Sequence, residues 1–206
     1  MWAIIEDNTI TKIINKPRGM VIGDTRHSRK IFSLWSVEEK EAKGIYEVVH
    51  DNTNKKDEAY YTNTNVSYAF ADGVVTASYG SATAKVLESS FWTQQDSDDG
   101  LLPDDQSIGD IKNRGLKHIK IASIKAYASG LLIPTDWYII REAEAGTAIP
   151  STVTTHRTAV RTKSNEMEVL VNACNTVDEL AVLYEVTEQE DGSFTRPLGE
   201  FPVLEH

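Results

Sequence analysis

The sequence predicts an α+β protein: a β-rich N-terminal domain followed by a helical-hairpin C-terminal module. Three observations carry that expectation. Up to about residue 92 the apolar residues fall in short, β-branched runs bounded by turn residues, as strands do. Further on, Ile121, Ile124, Ala128 and Leu131 step by 3, 4 and 3, which keeps them on one helix face. Between these regions residues 93–107 read TQQDSDDGLLPDDQS, a charged connector containing Gly and Pro. The predicted layout is a β-rich domain over 1–92, an acidic linker over 93–107, and a helical module over 108–203 with a short extended C-terminal tail. Leu204, Glu205 and His206 read as the remnant of a purification tag and stay outside the fold argument.

The elements follow in order. Apolar runs at 2–5 and 10–14 flank Glu6-Asp7-Asn8-Thr9 and predict a hairpin. Residues 27–35 are expected to be extended. Ser36 with Glu39 three positions later makes a capping box for a short helix that Gly44 stops. Residues 45–49 form the next strand, and the Asn- and Lys-rich stretch 51–65 a surface loop. The strongest hairpin joins 66–71 to 74–79 across Asp72-Gly73, a pair suited to a type I′ turn. Alternation puts Val66, Tyr68 and Phe70 on one face.

In the helical part, Gly130 and Pro134 are expected to end the first helix. Asp136 is expected to cap a helix over 137–145 that Gly146 closes. Pro150 suits the start of the next helix, whose stripe is Val153, Val160, Met167, Leu170 and Cys174. Asn175 or Thr176 would cap a last short helix over 177–184, and a hairpin is expected around Asp191-Gly192.

Composition narrows the function classes. The 206 residues suffice for one large domain or two small ones, and 40% hydrophobic with 25% charged residues is ordinary for a folded soluble protein. A net charge of −10 argues against a nucleic-acid surface, which needs a basic face. No apolar run approaches the roughly 20 residues of a membrane helix, and the N-terminus lacks the basic start of a signal peptide. The lone Cys174 allows no intrachain disulfide, suits a reducing cytoplasm, and is expected to be buried and inert.

No chemistry-bearing constellation emerges. His27, His50, His118 and His156 are scattered without metal-ligand spacing. Around Asp96-Ser97-Asp98-Asp99-Gly100 the calcium-loop register fails, because Gln95 and Gln106 fall where the first and last ligands belong. There is no G-x-S-x-G, P-loop or G-x-G-x-x-G, and the acidic pairs 38–39 and 104–105 read as solvated charge runs. The sequence therefore nominates no catalytic residue, no cofactor and no metal ligand, and the expectation is a non-enzyme.

Two segments carry a resemblance. Residues 131–137 read LLIPTDW and residues 156–161 read HRTAVR. This pairing resembles the C-terminal two-helix module of phage tail fibre assembly proteins, where a Leu-rich helix end leads through a Thr/Ser-Asp-Trp corner to a helix carrying Tyr-Arg-x-x-Leu-Arg. Here His156 stands for the Tyr and Val160 for the Leu, and residues 138–146 are longer than in short members. Residues 31–36, IFSLWS, followed by Glu38, Glu39, Gly44 and Ile45, resemble the β-rich leader of such proteins.

The resemblance implies a tail fibre assembly chaperone. Such a protein binds fibre polypeptide and assists its folding and trimerisation in the host cytoplasm during virus assembly, sometimes staying on the virion tail. The partner is then the tail fibre protein, with neither nucleic acid nor membrane, and homo-oligomerisation stays open. The alternatives are a structural or receptor-binding component retained in the virion, or a host-glycan-acting enzyme, for which no facing carboxylate pair can be nominated. The partner-contact candidates are Trp137, Tyr138, Arg141, Arg157 and Arg161, because interfaces favour Trp, Tyr and Arg. The competing reading has Trp137 plugging the corner, Tyr138 as the more exposed ring, and the arginines paired with Glu142, Glu144 or Glu168. For Asp136, capping is preferred over acid catalysis.

Overall fold

In the computed structural model, which describes residues 1–204, the chain opens on the expected hairpin. Strand β1 (Trp2–Glu6) turns into β2 (Thr9–Ile14) through Asp7 and Asn8, whose φ values of 48° and 58° lie in the left-handed region that Asp and Asn tolerate. A second, smaller hairpin pairs β3 (Met20–Ile22) with β4 (Thr25–His27).

The next stretch departs from expectation. Residues 27–35 are not extended: they leave β4 and form a single helical turn, α1 (Ile31–Leu34). The reason is packing. Ile31 and Phe32 are adjacent and both buried, with the Phe32 ring 4.7 Å from that of Trp2, whereas a strand would point neighbours to opposite sides. Helix α2 (Val37–Glu41) follows with the capping box as expected: the Ser36 hydroxyl accepts from the Glu39 N–H, and the Glu39 carboxylate accepts from the Ser36 N–H at 2.8 Å. Gly44, at φ 72°, then delivers the chain into β5 (Ile45–Asp51), and its carbonyl accepts from the Ile5 N–H.

The 51–65 segment is largely loop, yet it buries Tyr60 and Tyr61 and contains the two-residue strand β6 (Tyr61–Thr62). Strands β7 (Ser67–Ala71) and β8 (Val74–Ser78) form the Asp72-Gly73 hairpin, with Ala71 opposite Val74 and φ values of 51° and 77° at the turn. Val66 lies before β7 and is exposed, while Tyr68 and Phe70 pack inward.

These strands make a five-stranded sheet in the order β2-β1-β5-β8-β7. Every neighbour is antiparallel except β5 and β8, which run parallel with Val48 opposite Val75. The sheet curls until its edge strands β2 and β7 approach each other. Alternation along β1 feeds both faces: Ile4 joins Ile14, Ile31, Phe32 and Ile45, while Ala3 joins Val48, Val75 and Ala77.

The chain divides into two units, Met1–Thr83 and Ala84 onward, with the short strand β9 (Thr83–Ala84) at the division. Residues 93–107 therefore belong inside the second unit. Thr93 and Asp96 form a capping box on α3 (Gln94–Asp98). Asp96 also pairs with Lys112 of β11 (Ile111–Asn113), the partner of β10 (Ser90–Phe91). An acidic stretch that looks solvated is held because Thr-x-x-Asp caps a helix and a lysine lies opposite.

Helix α4 (Leu116–Leu132) starts at Gly115, where a Cβ would sit 2.3 Å from the Glu88 carbonyl carbon. Only glycine lets residues 86–88 pass so close, and there the Val86 and Leu87 carbonyls accept from the first helical N–H groups. Ile124 and Ala128 are buried as expected. Gly130 does not end α4, which runs on to Leu132 and tightens into a 3-10 turn (Ile133–Thr135) that takes in Pro134. Helix α5 (Asp136–Ala145) closes at Gly146 with φ 65°. Pro150 then precedes α6 (Ser151–Ala173).

Helices α4 and α6 run antiparallel. Lys117 Nζ donates to the Asn172 carbonyl, Lys125 pairs with Glu168, and Arg157 donates to the Leu132 carbonyl. The buried seam of α6 is Val153, Arg157, Val160, Ser164, Met167 and Val171, continued by Cys174. It alternates steps of 4 and 3 from 153 to 174, the spacing of a helix packed lengthwise on another. Leu170, expected in the stripe, is 37% exposed, and Val171 fills that place. Thr176, not Asn175, caps α7 (Val177–Val182), which ends two residues before the expected Tyr184. Strands β12 (Thr187–Glu188) and β13 (Phe194–Thr195) complete the expected hairpin around Asp191-Gly192.

Candidate functional site

The corner between α4 and α6 is built around Arg157. This arginine is buried, with 7% of its surface exposed. Nη1 donates to the Leu132 carbonyl at 2.9 Å and to Thr135 Oγ1 at 2.6 Å, and Nη2 faces the Asp136 carboxylate at 2.8 Å. The Thr135 hydroxyl in turn donates to the Leu132 carbonyl. Arginine suits this position because its planar fork serves several acceptors at once. These bonds satisfy carbonyl and hydroxyl groups left over where α4 breaks.

Two expectations change here. Asp136 does not cap α5: it is the first residue of that helix, Thr135 holds the cap position without a side-chain bond, and the Asp136 carboxylate faces Arg157. An acid in the first helical turn is still favourable towards the helix dipole. Arg157 is buried rather than presented at the surface: Nη1 and Nη2 are engaged at the corner, and Nε is buried without a partner.

Beyond the corner, α5 projects with no buried residue. Trp137 does not plug the bend: it is 48% exposed, and Tyr138 is the half-buried ring of the pair. Their ring centres lie 3.8 Å apart. The Arg141 guanidinium lies 4.7 Å from the Trp137 ring centre and 5.3 Å from that of Tyr138, a cation held against two aromatic faces. Trp137, Tyr138 and Arg141 are thus brought together. Arg161 is exposed, and among the described residues no hydrogen bond, ion pair or ring contact joins it to that cluster. Glu168 pairs with Lys125 and with none of the arginines.

Sequence reasoning missed the apolar surroundings. Tyr127, Ile133, Ile139 and Ile140 are all exposed. The available signal was that Ile139 and Ile140 are adjacent apolar residues on a ten-residue helix with Trp137 two positions earlier. The electrostatic setting is lopsided too. Residues 1–83 carry 10 Lys and Arg against 11 Asp and Glu, whereas residues 84–206 carry 11 against 20. Almost all of the net negative charge, −9 of −10, therefore rests on the unit that holds α5.

Other candidates resolve quietly. Cys174 is buried, its thiol donates to the Leu170 carbonyl, and burial pushes its pKa up, which holds it as a thiol. Among the described residues no group of three or more His, Cys, Asp or Glu is placed to hold a metal. None of the described helices is long and apolar enough to cross a membrane. His206 and Glu205, assigned to the tag remnant, lie outside the described residues. No family model matches this chain, and neither the curated proteins nor the solved structures yield a similar protein.

Proposed function

We propose that this protein is a phage tail fibre assembly chaperone that docks fibre polypeptide on helix α5, acting in the host cytoplasm while the virus is assembled. The observation that carries the reading is α5 itself. It buries none of its residues, and Trp137, Ile139 and Ile140 on it are exposed, as is Ile133 in the turn that precedes it. Several large apolar residues left exposed on one short helix support an interaction role, and its Trp-Tyr-Arg cluster is the residue set that interface centres favour. The acidic load of the second unit selects a partner whose apolar surface is rimmed by Lys or Arg. The resemblance of residues 131–137 and 156–161 to the fibre assembly module supplies the partner's identity in this reading. No catalytic role is assigned.

The test is co-expression with the tail fibre protein encoded by the same phage, followed by light scattering on the purified sample. A complex and a larger soluble, trimeric fibre fraction are expected. The double variant Trp137→Ala, Ile140→Ser should abolish both and leave thermal unfolding unchanged, because neither side chain is buried. Absence of a complex with the unmodified chain would falsify the proposal.

A further inference from the structure

One stretch of the first unit carries charge that the chain itself does not neutralise. Residues 12–30 hold six Lys and Arg against the single Asp24, whereas the rest of residues 1–83 holds four against ten Asp and Glu. All six cations are exposed, and among the described residues none of them forms an ion pair. Cations gathered without counter-charges raise the local positive potential and draw anions towards it. The net charge of −10 does not reveal this, because it averages over both units.

Two of the six line a cavity. It measures about 570 Å³ and opens between Trp2, Pro17, Arg29, Lys30, Phe32 and Ser33. That size lies within the span of about 300–1,000 Å³ usual for small-molecule sites. The fold sets its aromatic wall. Strand β1 supplies Trp2, and the helical turn α1 brings Phe32 against it, with ring centres 4.7 Å apart and planes inclined by 50°. Phe32 is buried, while the half-buried Trp2 keeps part of its ring at the surface. The Ser33 hydroxyl donates to the Lys30 carbonyl at 3.1 Å, so its proton is taken. The donors left for a ligand are the Arg29 guanidinium and the Lys30 ammonium.

We infer that this cavity binds a small aromatic phosphate monoester, with its ring against Trp2 and its phosphate between Arg29 and Lys30. The two parts of the ligand follow from the two parts of the lining. A phosphate monoester carries about −1.5 to −2 charge near neutral pH, which matches two single cations. A carboxylate would balance only one of them. The arginine fork can take two phosphate oxygens while the lysine adds a point charge. A flat ring stacks on an indole face with little regard to its substituents, and Pro17 adds apolar lining. The site lies wholly within the first unit, apart from α5, and does not depend on the fibre reading.

The probe is AMP, titrated at low salt into the ¹⁵N-labelled full chain. The Trp2 indole N–H and Arg29 Nε–H signals should shift together and saturate. Adenosine and inorganic phosphate each lack one half of the contact, so each alone should bind at least about tenfold more weakly than AMP. The double variant Arg29→Gln, Lys30→Gln should lose at least about tenfold in AMP affinity. Its thermal unfolding should not change, because both side chains are exposed and unpaired. Lys12→Gln removes a cation outside the lining and should change the affinity by less than about twofold. No saturable shift at millimolar AMP overturns the inference, as does equal affinity for AMP and inorganic phosphate, or full affinity in the double variant. The comparison of AMP with its two halves uses the unmodified chain, so it decides the matter even where a variant misfolds. None of these outcomes bears on the α5 test.

Discussion

Replacing Arg157 by alanine should cost about 3 kcal/mol of stability in the second unit, a figure that follows from its three contacts. The bonds to the Leu132 carbonyl and Thr135 Oγ1 are buried or nearly so, and each is charge-assisted. Such bonds contribute roughly 1.5–3 kcal/mol each. The low end applies, because the Leu132 carbonyl keeps the Thr135 hydroxyl as a donor after truncation. The Asp136 partner is 52% exposed, so that ion pair is screened and adds about 0–1 kcal/mol. Removing the buried guanidinium also relieves its desolvation, including that of Nε, which has no partner. Urea denaturation followed by helical ellipticity measures the loss. Arg157→Lys should recover part of it, since one ammonium cannot serve all three acceptors in a plane. Asp136→Asn should cost under about 1 kcal/mol. An Arg157→Ala loss below about 1 kcal/mol, or an Asp136→Asn loss as large as that of Arg157→Ala, would refute the account of Arg157 as the staple of the corner.

Three more outcomes follow from the same geometry. Met167→Ala, at a side chain 1% exposed, should cost about 2–5 kcal/mol in the same assay, whereas Leu170→Ala, half outside the seam, should cost much less. Gly44→Ala should destabilise the first unit by more than about 1 kcal/mol, read from its thermal transition, because φ is +72° and the new Cβ would sit 2.5 Å from the Ile5 carbonyl oxygen. The Lys112 ammonium, together with the Thr93 hydroxyl and N–H, lowers the Asp96 pKa from 3.8 to about 2. Because the folded value lies below the unfolded one, the stabilisation is present above about pH 4 and fades as the pH falls towards 2. A carboxyl-carbon NMR titration should show this, and Lys112→Gln should move the Asp96 midpoint upward.

Much of the fold was legible residue by residue because its causes are local. The Asp72-Gly73 turn, the Ser36 and Glu39 capping box, and Gly146 closing α5 each involve groups within four positions of one another. The α4 and α6 faces were legible because helical spacing shows in the residue order. The differences have non-local causes. Residues 31–35 look extended by composition, but only a helical turn buries both Ile31 and Phe32. Residues 93–107 look solvated by charge, but Asp96 meets a lysine sixteen positions away.

Residue order alone determined that this chain makes turn-bounded strands first and amphipathic helices later, since each rests on backbone preference and side-chain period. Only the tertiary structure decided that β5 lies beside β8 in parallel, a pairing no short connection signals. It also decided which charged and aromatic residues are available to a partner. Arg157 reads as a surface residue until Leu132 and Thr135, more than twenty positions away, arrive to accept from it. Trp137 reads as a plug until that arginine fills the corner in its place. Burial is a property of what comes to lie opposite a residue, and a linear sequence states only what lies next to it.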